Sequence, residues 1–332
     1  MNITYIIGNG FDINLGLRTG YKDFYEWYVD QPSENDPDVV KNFKNEINSC
    51  LNNTTERNWS DLELALGKYS AQVSSDQFPI LYMNIASGLK DYLNREYRRF
   101  DKSLYDDKKL RACLEDPVSD YFGDARKYIL NAFAFSQAAD TEINILSFNY
   151  TSSLEDLLGK TDGWRKQDGT FVKLKPIAHI HHSLSEGNIV FGVNDEQQIV
   201  NTEYAKRPGI YDLFIKPQAN NVLGGYTHYA AEYIIRDTNL FVLYGVSLGD
   251  TDRKWWNLIG KRLASSEDVR MIWFVHDKPE NQEFASFLYK QEECKKIKEF
   301  KAKTLLPQES LNNVDKKIYV TLTNKMFNIR RS

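Results

Sequence analysis

Residues 1–14 read MNITYIIGNGFDIN, an apolar run from Ile3 to Ile7 that breaks into Gly8-Asn9-Gly10 and then meets an acid, Asp12. A short apolar run closed by glycine suits a central strand of a parallel sheet, where both faces are covered. The two glycines allow a tight turn and close approach to a ligand, and N–H groups at the start of the next helix can hold a pyrophosphate. A complete G-x-G-x-x-G fingerprint needs glycine at position 13, where the chain has Ile13. A tight turn with a helix cap is the competing reading of the same residues. Because a carboxylate repels phosphate, Asp12 is expected either to grip ribose hydroxyls or to lock the loop.

The same strand, turn and helix succession recurs downstream. Ile143–Phe148 reads as a second core strand, followed by Asn149-Tyr150-Thr151 and a helix from Ser152 to Leu158. Leu240–Tyr244 runs into Gly245-Val246-Ser247-Leu248-Gly249-Asp250 and then a helix through Trp255 and Leu263. Met271–Val275 is another apolar strand, Glu280–Phe300 a helix, and Ile318–Leu322 an edge strand. Pro176–Leu184 and Asn188–Val193 read as two further strands, after a polar loop from Gly163 to Thr170. Between the first two core strands the pattern is helical. Thr19 is placed to cap a helix over Tyr21–Val29, Trp59–Tyr69 sets Leu62, Leu66 and Tyr69 on one face, and Phe78–Leu104 is a long amphipathic stretch. These elements predict a Rossmann-like, doubly wound, mainly parallel α/β sheet built from residues 1–30 and 140–332. Residues 31–139 form a large helical insertion, a lid or interaction module.

Composition narrows the classes. The 332 residues carry 42 Lys and Arg against 46 Asp and Glu, a formal net charge of −4, which gives no general attraction to nucleic acid or to an anionic membrane. Cys50, Cys113 and Cys294 form no C-x-x-C pair, so neither a disulfide framework nor a cysteine zinc module is indicated. No apolar run reaches the length of a membrane span, and the expected location is the cytoplasm.

In an open parallel sheet, ligands bind beyond the carboxyl ends of the strands, so the loops at Gly8–Asp12, Ser147–Thr151 and Gly245–Gly249 are read together. Ser247 offers a hydroxyl to ribose or phosphate, and Asn149 can orient a ribose hydroxyl or a water, or else cap the helix after it. In Ile177-Ala178-His179-Ile180-His181-His182, a strand would send His179 and His181 to one face, and histidine suits proton transfer near neutrality. Such a pair also raises metal binding and a purely structural role, although no acidic or cysteine partner completes a recognisable metal set, and none is expected. Trp255, Trp256, Tyr92, Tyr97 and Phe24 are expected in the core, and Lys295–Lys303 on the solvated face of a helix.

Six segments taken in order, G-N-G-F-D at Gly8, G-L-x-T-x-Y-x-x-F at Gly16, W-x-D-L-E at Trp59, S-F-N-Y-T at Ser147, H-I-H at His179 and Y-G-x-S-L-G-D-x-D at Tyr244, resemble the AbiH family of bacterial abortive-infection proteins. That family looks like a distant branch of the sirtuin-like fold. The resemblance implies an NAD-binding core in which Gly8 and Gly10 stand at the first glycines of the sirtuin-like loop. Asn149 and His181 stand at its catalytic asparagine and histidine, and Gly245 and Ser247 at its later G-x-S loop. Asn9, Phe11, Asp12, Thr151, His179 and Asp250 complete the expected NAD-binding set. Thr151 and His182 depart from the sirtuin pattern, where aspartate and glycine stand. The implied function is an anti-phage effector that hydrolyses NAD to nicotinamide and ADP-ribose. A non-catalytic nucleotide sensor and a metal-dependent hydrolase or nuclease are the alternatives. Expected partners are NAD or a related nucleotide, with a homo-oligomer, a phage-derived trigger and an operon partner left open.

Overall fold

The computed structural model describes residues 1–52, 61–119, 126–127, 129–130, 141–223, 226–275, 285–322 and 326–331. Eight strands make one sheet: β1 (Asn2–Ile7), β2 (Thr141–Ser147), β3 (Gly163–Arg165), β4 (Phe171–Leu174), β5 (Ala178–His179), β6 (Leu240–Tyr244), β7 (Arg270–Val275) and β8 (Ile318–Leu322). The spatial order is β3-β4-β2-β1-β6-β7-β8, with β5 also paired to β2. Every pairing is parallel except that of β3 with β4. The chain lays β2 on one side of β1 and later returns to lay β6 on the other, so β1 marks the switch point of a doubly wound, Rossmann-like sheet.

Period-two alternation explains why the strands are continuously apolar. Ile3, Tyr5 and Ile7 of β1, with Leu240, Val242 and Tyr244 of β6, face one buried cluster. Ile6, Phe241 and Leu243 face another, on the opposite side of the sheet. Each fully buried large aliphatic or aromatic side chain adds about 1.5–3 kcal/mol, so central strands of this kind need no polar face.

Residues 31–139 were expected as one helical insertion, and the described residues there contain helices and no sheet strand. They serve two cores. The helices Asp38–Asn52, Leu62–Tyr69 and Phe78–Tyr97 pack with Tyr21–Val29 and with Phe191, Val193 and Phe214 into a separate cluster. The following stretch, with Tyr105, Leu110 and Leu114, covers the sheet itself, and Tyr5 donates its hydroxyl to Leu114 O at 2.9 Å.

Several local expectations need correction. The helix Tyr21–Val29 is preceded by Gly20 without a side-chain cap, because the Thr19 hydroxyl is spent on Asn9 Oδ1. The polar stretch from Gly163 is a β3–β4 hairpin rather than a loop. The strand expected at 176–184 shortens to Ala178–His179 and then turns, with His182 at φ 59°. Asn188–Val193 is not a strand, its one bridge being Val193 with Ile215. Its apolar residues are buried against the helical cluster, which mimics a strand pattern. The helix expected from Trp59 begins at Leu62, after its N-cap Asp61, and the one expected from Glu280 is described from Ala285 onward; residues 59–60 and 280–284 lie outside the described residues.

Candidate functional site

The loops after β1, β2 and β6 meet at a ridge. Gly10 N donates to Gly245 O at 2.8 Å and Gly8 N to Tyr244 O at 3.0 Å. A Cβ on Gly10 would stand 2.5 Å from Gly245 Cα, and one on Gly8 would stand 2.6 Å from Gly245 O. Gly245 itself holds φ +66°, in the left-handed region that favours glycine. These glycines therefore let two strand-end loops touch, and the N–H groups of Gly8 and Gly10 are already spent on that contact.

Either side of the ridge carries a cleft. One encloses about 280 Å³ between the loops of β1, β2 and β6 and the helical layer, and Asn9, Asp12, Asn149, His181, Gly245 and Ser247 are on its wall. The other encloses about 720 Å³ over the ends of β6 and β7 and is lined by Asn9, Gly10, Gly245, Ser247 and Lys296, among others.

Asp12 sits in the short helix Gly10–Asn14 and is buried. Its Oδ2 accepts from the Thr151 hydroxyl and its Oδ1 from the Ser153 hydroxyl, both at 2.6 Å. Both carboxylate oxygens thus tie the first loop to the second, which favours the locking reading over the sugar-gripping one. Burial raises its pKa, with the two hydroxyls acting in the opposite direction. Asn9 is likewise tied down, its Nδ2 donating to Thr19 O at 3.0 Å.

The two histidines of H-I-H part company. His179 packs under the loop, with Nδ1 2.8 Å from Asn149 O and Nε2 2.6 Å from Glu155 Oε1. An acceptor at each nitrogen favours the ring with both N–H groups in place. Burial opposes the charge, but Glu155 and Asn149 O outweigh it and raise the pKa. His179 is not among the residues lining either cleft.

His181, past the end of β5, is buried in the wall of the smaller cleft with its ring edge-on to Phe148. Its Nε2 lies 3.0 Å from Asp252 Oδ1, an ion-pair distance without hydrogen-bond alignment, and Nδ1 has no partner. Burial and the charge of Lys216 lower its pKa, so the ring is neutral. Asn149, buried at the end of β2, leaves Oδ1 unpartnered.

Behind His181 runs an ion network. Lys216 Nζ is 2.7 Å from Glu63 Oε2 and 2.9 Å from Asp252 Oδ1, and all three side chains are largely buried. Glu63 also accepts from Gly192 N at 2.9 Å and from the Thr251 hydroxyl at 3.0 Å. Burial works to raise Asp252, but the charge of Lys216 holds it below the usual carboxylate range. Burial pushes Glu63 up despite Lys216. Asp61, which caps the helix Leu62–Tyr69 by accepting from Leu64 N at 3.0 Å, completes this wall.

Of the expected site residues, two fall outside the clefts besides His179. Phe11 is a core residue, edge-on to Tyr244 and Phe327. Asp250 faces Arg253 at 2.8 Å and Lys303 at 2.9 Å, pinning the end of the helix Ala285–Lys303. Thr151 lines the smaller cleft, but its hydroxyl is spent on Asp12. Asp61, Glu63 and Asp252 each end or sit inside one of the six quoted segments, a signal that could have marked them, whereas Lys216 lies outside all six. Trp256 is both core and cleft wall, stacked on Phe148 at 5.3 Å.

A doubly wound parallel sheet with a polar cleft at its switch point defines a Rossmann-like α/β protein. The family model described as bacteriophage abortive infection AbiH matches residues 4–276, and the chain belongs to that family. The match takes in every residue of the smaller cleft and places the chain among proteins of phage abortive infection. No curated protein matches the chain. Among the described residues no helix is long and apolar enough to cross a membrane. No group of three or more His, Cys, Asp or Glu among them is placed to hold a metal ion.

Proposed function

We propose that the chain is the effector of an abortive response, and that it binds NAD at the ridge and hydrolyses the bond between nicotinamide and ribose. One observation carries this reading: Asn149 Oδ1 and His181 Nδ1, both buried and unpartnered, line the same cleft beyond the strand ends. Buried polar atoms without partners cost free energy that a ligand can recover. The sirtuin-like resemblance puts an asparagine and a histidine in these two roles.

The chemistry balances with these groups. Water adds to the ribose carbon, the C–N bond breaks with its electron pair going to the pyridine nitrogen, and the water proton passes to His181. Asp252 beside Nε2 favours the tautomer with the proton on that nitrogen, leaving the Nδ1 lone pair to act as base. Asn149 accepts from the attacking water or from a ribose hydroxyl. The nicotinamide half suits the smaller cleft, and the adenosine half the larger groove across the ridge, beside Ser247 and Lys296.

Incubating the purified chain with NAD and following nicotinamide tests the reading. Release that is lost in Asn149→Ala and His181→Ala is expected. Absence of release from the chain taken from phage-challenged cells, or full release by Asn149→Ala, overturns it. A sensor that only binds is the second reading, favoured by Thr151 and His182 standing where the sirtuin pattern has aspartate and glycine. Calorimetry that recovers NAD intact after tight binding would decide for it.

A further inference from the structure

The charge of the smaller cleft is unusual for a nucleotide site. Asp12, Asp61, Glu63 and Asp252 all line it, and Lys216 is the one cation among the described lining residues, with no arginine. Glu63 and Asp252 already neutralise that lysine at 2.7 and 2.9 Å. Neither Asp12 nor Asp61 lies in an ion pair among the described residues, so neither carboxylate is matched by a cation of the protein. Three aromatic residues share this wall: the partly buried Phe148 and Tyr150, and the buried Trp256, on which Phe148 stacks. The independent sign that a ligand belongs here is the unpartnered, buried Asn149 Oδ1 and His181 Nδ1.

We propose that this cleft is an organic-cation site, in which acids and ring faces select an N-substituted pyridinium, while any phosphates stay outside it on the far side of the glycine ridge. Phosphate inside would face carboxylates without a free cation, whereas a delocalised cation gains from both the carboxylates and the ring quadrupoles. The identification of that pyridinium with the nicotinamide end of NAD rests on the proposed function; the preference for positive charge does not. Loss of the positive charge as the C–N bond breaks would also weaken retention of the nicotinamide product.

The test compares 1-methylnicotinamide, a cation, with uncharged nicotinamide of nearly the same shape, binding each to the full chain and reading Trp256-containing tryptophan fluorescence and calorimetry. The cation is expected to bind about tenfold more tightly. Asp61→Asn should lower cation affinity about three- to tenfold and leave nicotinamide unchanged, since asparagine also caps a helix and keeps the fold. Asp61→Ser, another capping residue, repeats the measurement if the first variant melts early. Equal affinities, no binding of either compound, or a cation affinity untouched in both variants overturns the proposal. Nicotinamide release from NAD is measured separately. Cation preference without cleavage upholds the cation site and refutes the hydrolase, and cleavage without cation preference does the reverse.

Discussion

His179 and His181 stand two residues apart and are held in opposite ways. His179 has a partner on each nitrogen and a raised pKa; His181 has an unpartnered Nδ1, lies beside the buried Lys216 and has a lowered one. The strand ends between them, so a pair that alternation would send to one face is split between the underside of a loop and the wall of a cleft. The contrast teaches where the fold completes its hydrogen bonds and where it leaves atoms for something else. The Asp12, Thr151 and Ser153 group belongs to the completed side, and Asn149 Oδ1 to the open one.

The largest effect is expected behind the open side. Lys216→Met removes the cation between Glu63 and Asp252 and leaves two buried carboxylates, so unfolding free energy should fall by about 3–5 kcal/mol in urea titration. A loss under about 1 kcal/mol would show that water reaches the network. Next, Asn149→Ala should reduce nicotinamide release by about a hundredfold or more while changing stability by less than about 1 kcal/mol, because no hydrogen bond of its Oδ1 is lost. His179→Ala should do the converse, costing about 1–3 kcal/mol through the loss of bonds to Glu155 and Asn149 O. Equal stability costs for the two would erase the contrast.

The ridge between the clefts is predicted to be a packing device. Gly10→Ala should destabilise by about 1–3 kcal/mol, as its Cβ would stand 2.5 Å from Gly245 Cα, and thermal unfolding without ligand should register the whole effect. The smallest effect is in pH dependence, where the histidines carry opposite signs. The raised pKa of His179 gives stability that is fully present below the ordinary value of about 6.5 and is lost as pH rises through the folded-state value. The lowered pKa of His181 makes stability fall as pH drops below about 6.5 toward its folded-state value. His179→Gln should therefore flatten the alkaline side of a stability-against-pH curve and His181→Gln the acid side.

Much of the frame was legible because buried parallel strands are written as uninterrupted apolar runs. β1, β6, β7 and β8 fall within a residue of their expected bounds, and β2 begins two residues earlier than read. The β3–β4 hairpin escaped because it is short, polar and at the sheet edge. Asn188–Val193 misled because burial against helices produces the same apolar run as burial in a sheet. The helices Lys216–Val222 and Tyr226–Asp237 are not among the expected elements; the first is only seven residues long, and the second leaves Tyr226, Tyr229 and Tyr233 exposed while burying His228, Ala231 and Ile235.

At the site, the three strand-end loops, the asparagine and the histidine are legible along the chain, since glycine turns and polar residues after apolar runs are local signals. The fate of each side chain was decided only by tertiary structure. A lone lysine at position 216 has no local mark, and nothing near Glu63 says that it will meet Asp252 across the chain. Whether Asp12 grips a ligand or locks a loop depends on Ser153, far along the chain, being within 2.6 Å. Charge and hydrogen bonding are properties of neighbours in space, and the sequence gives neighbours only along the chain.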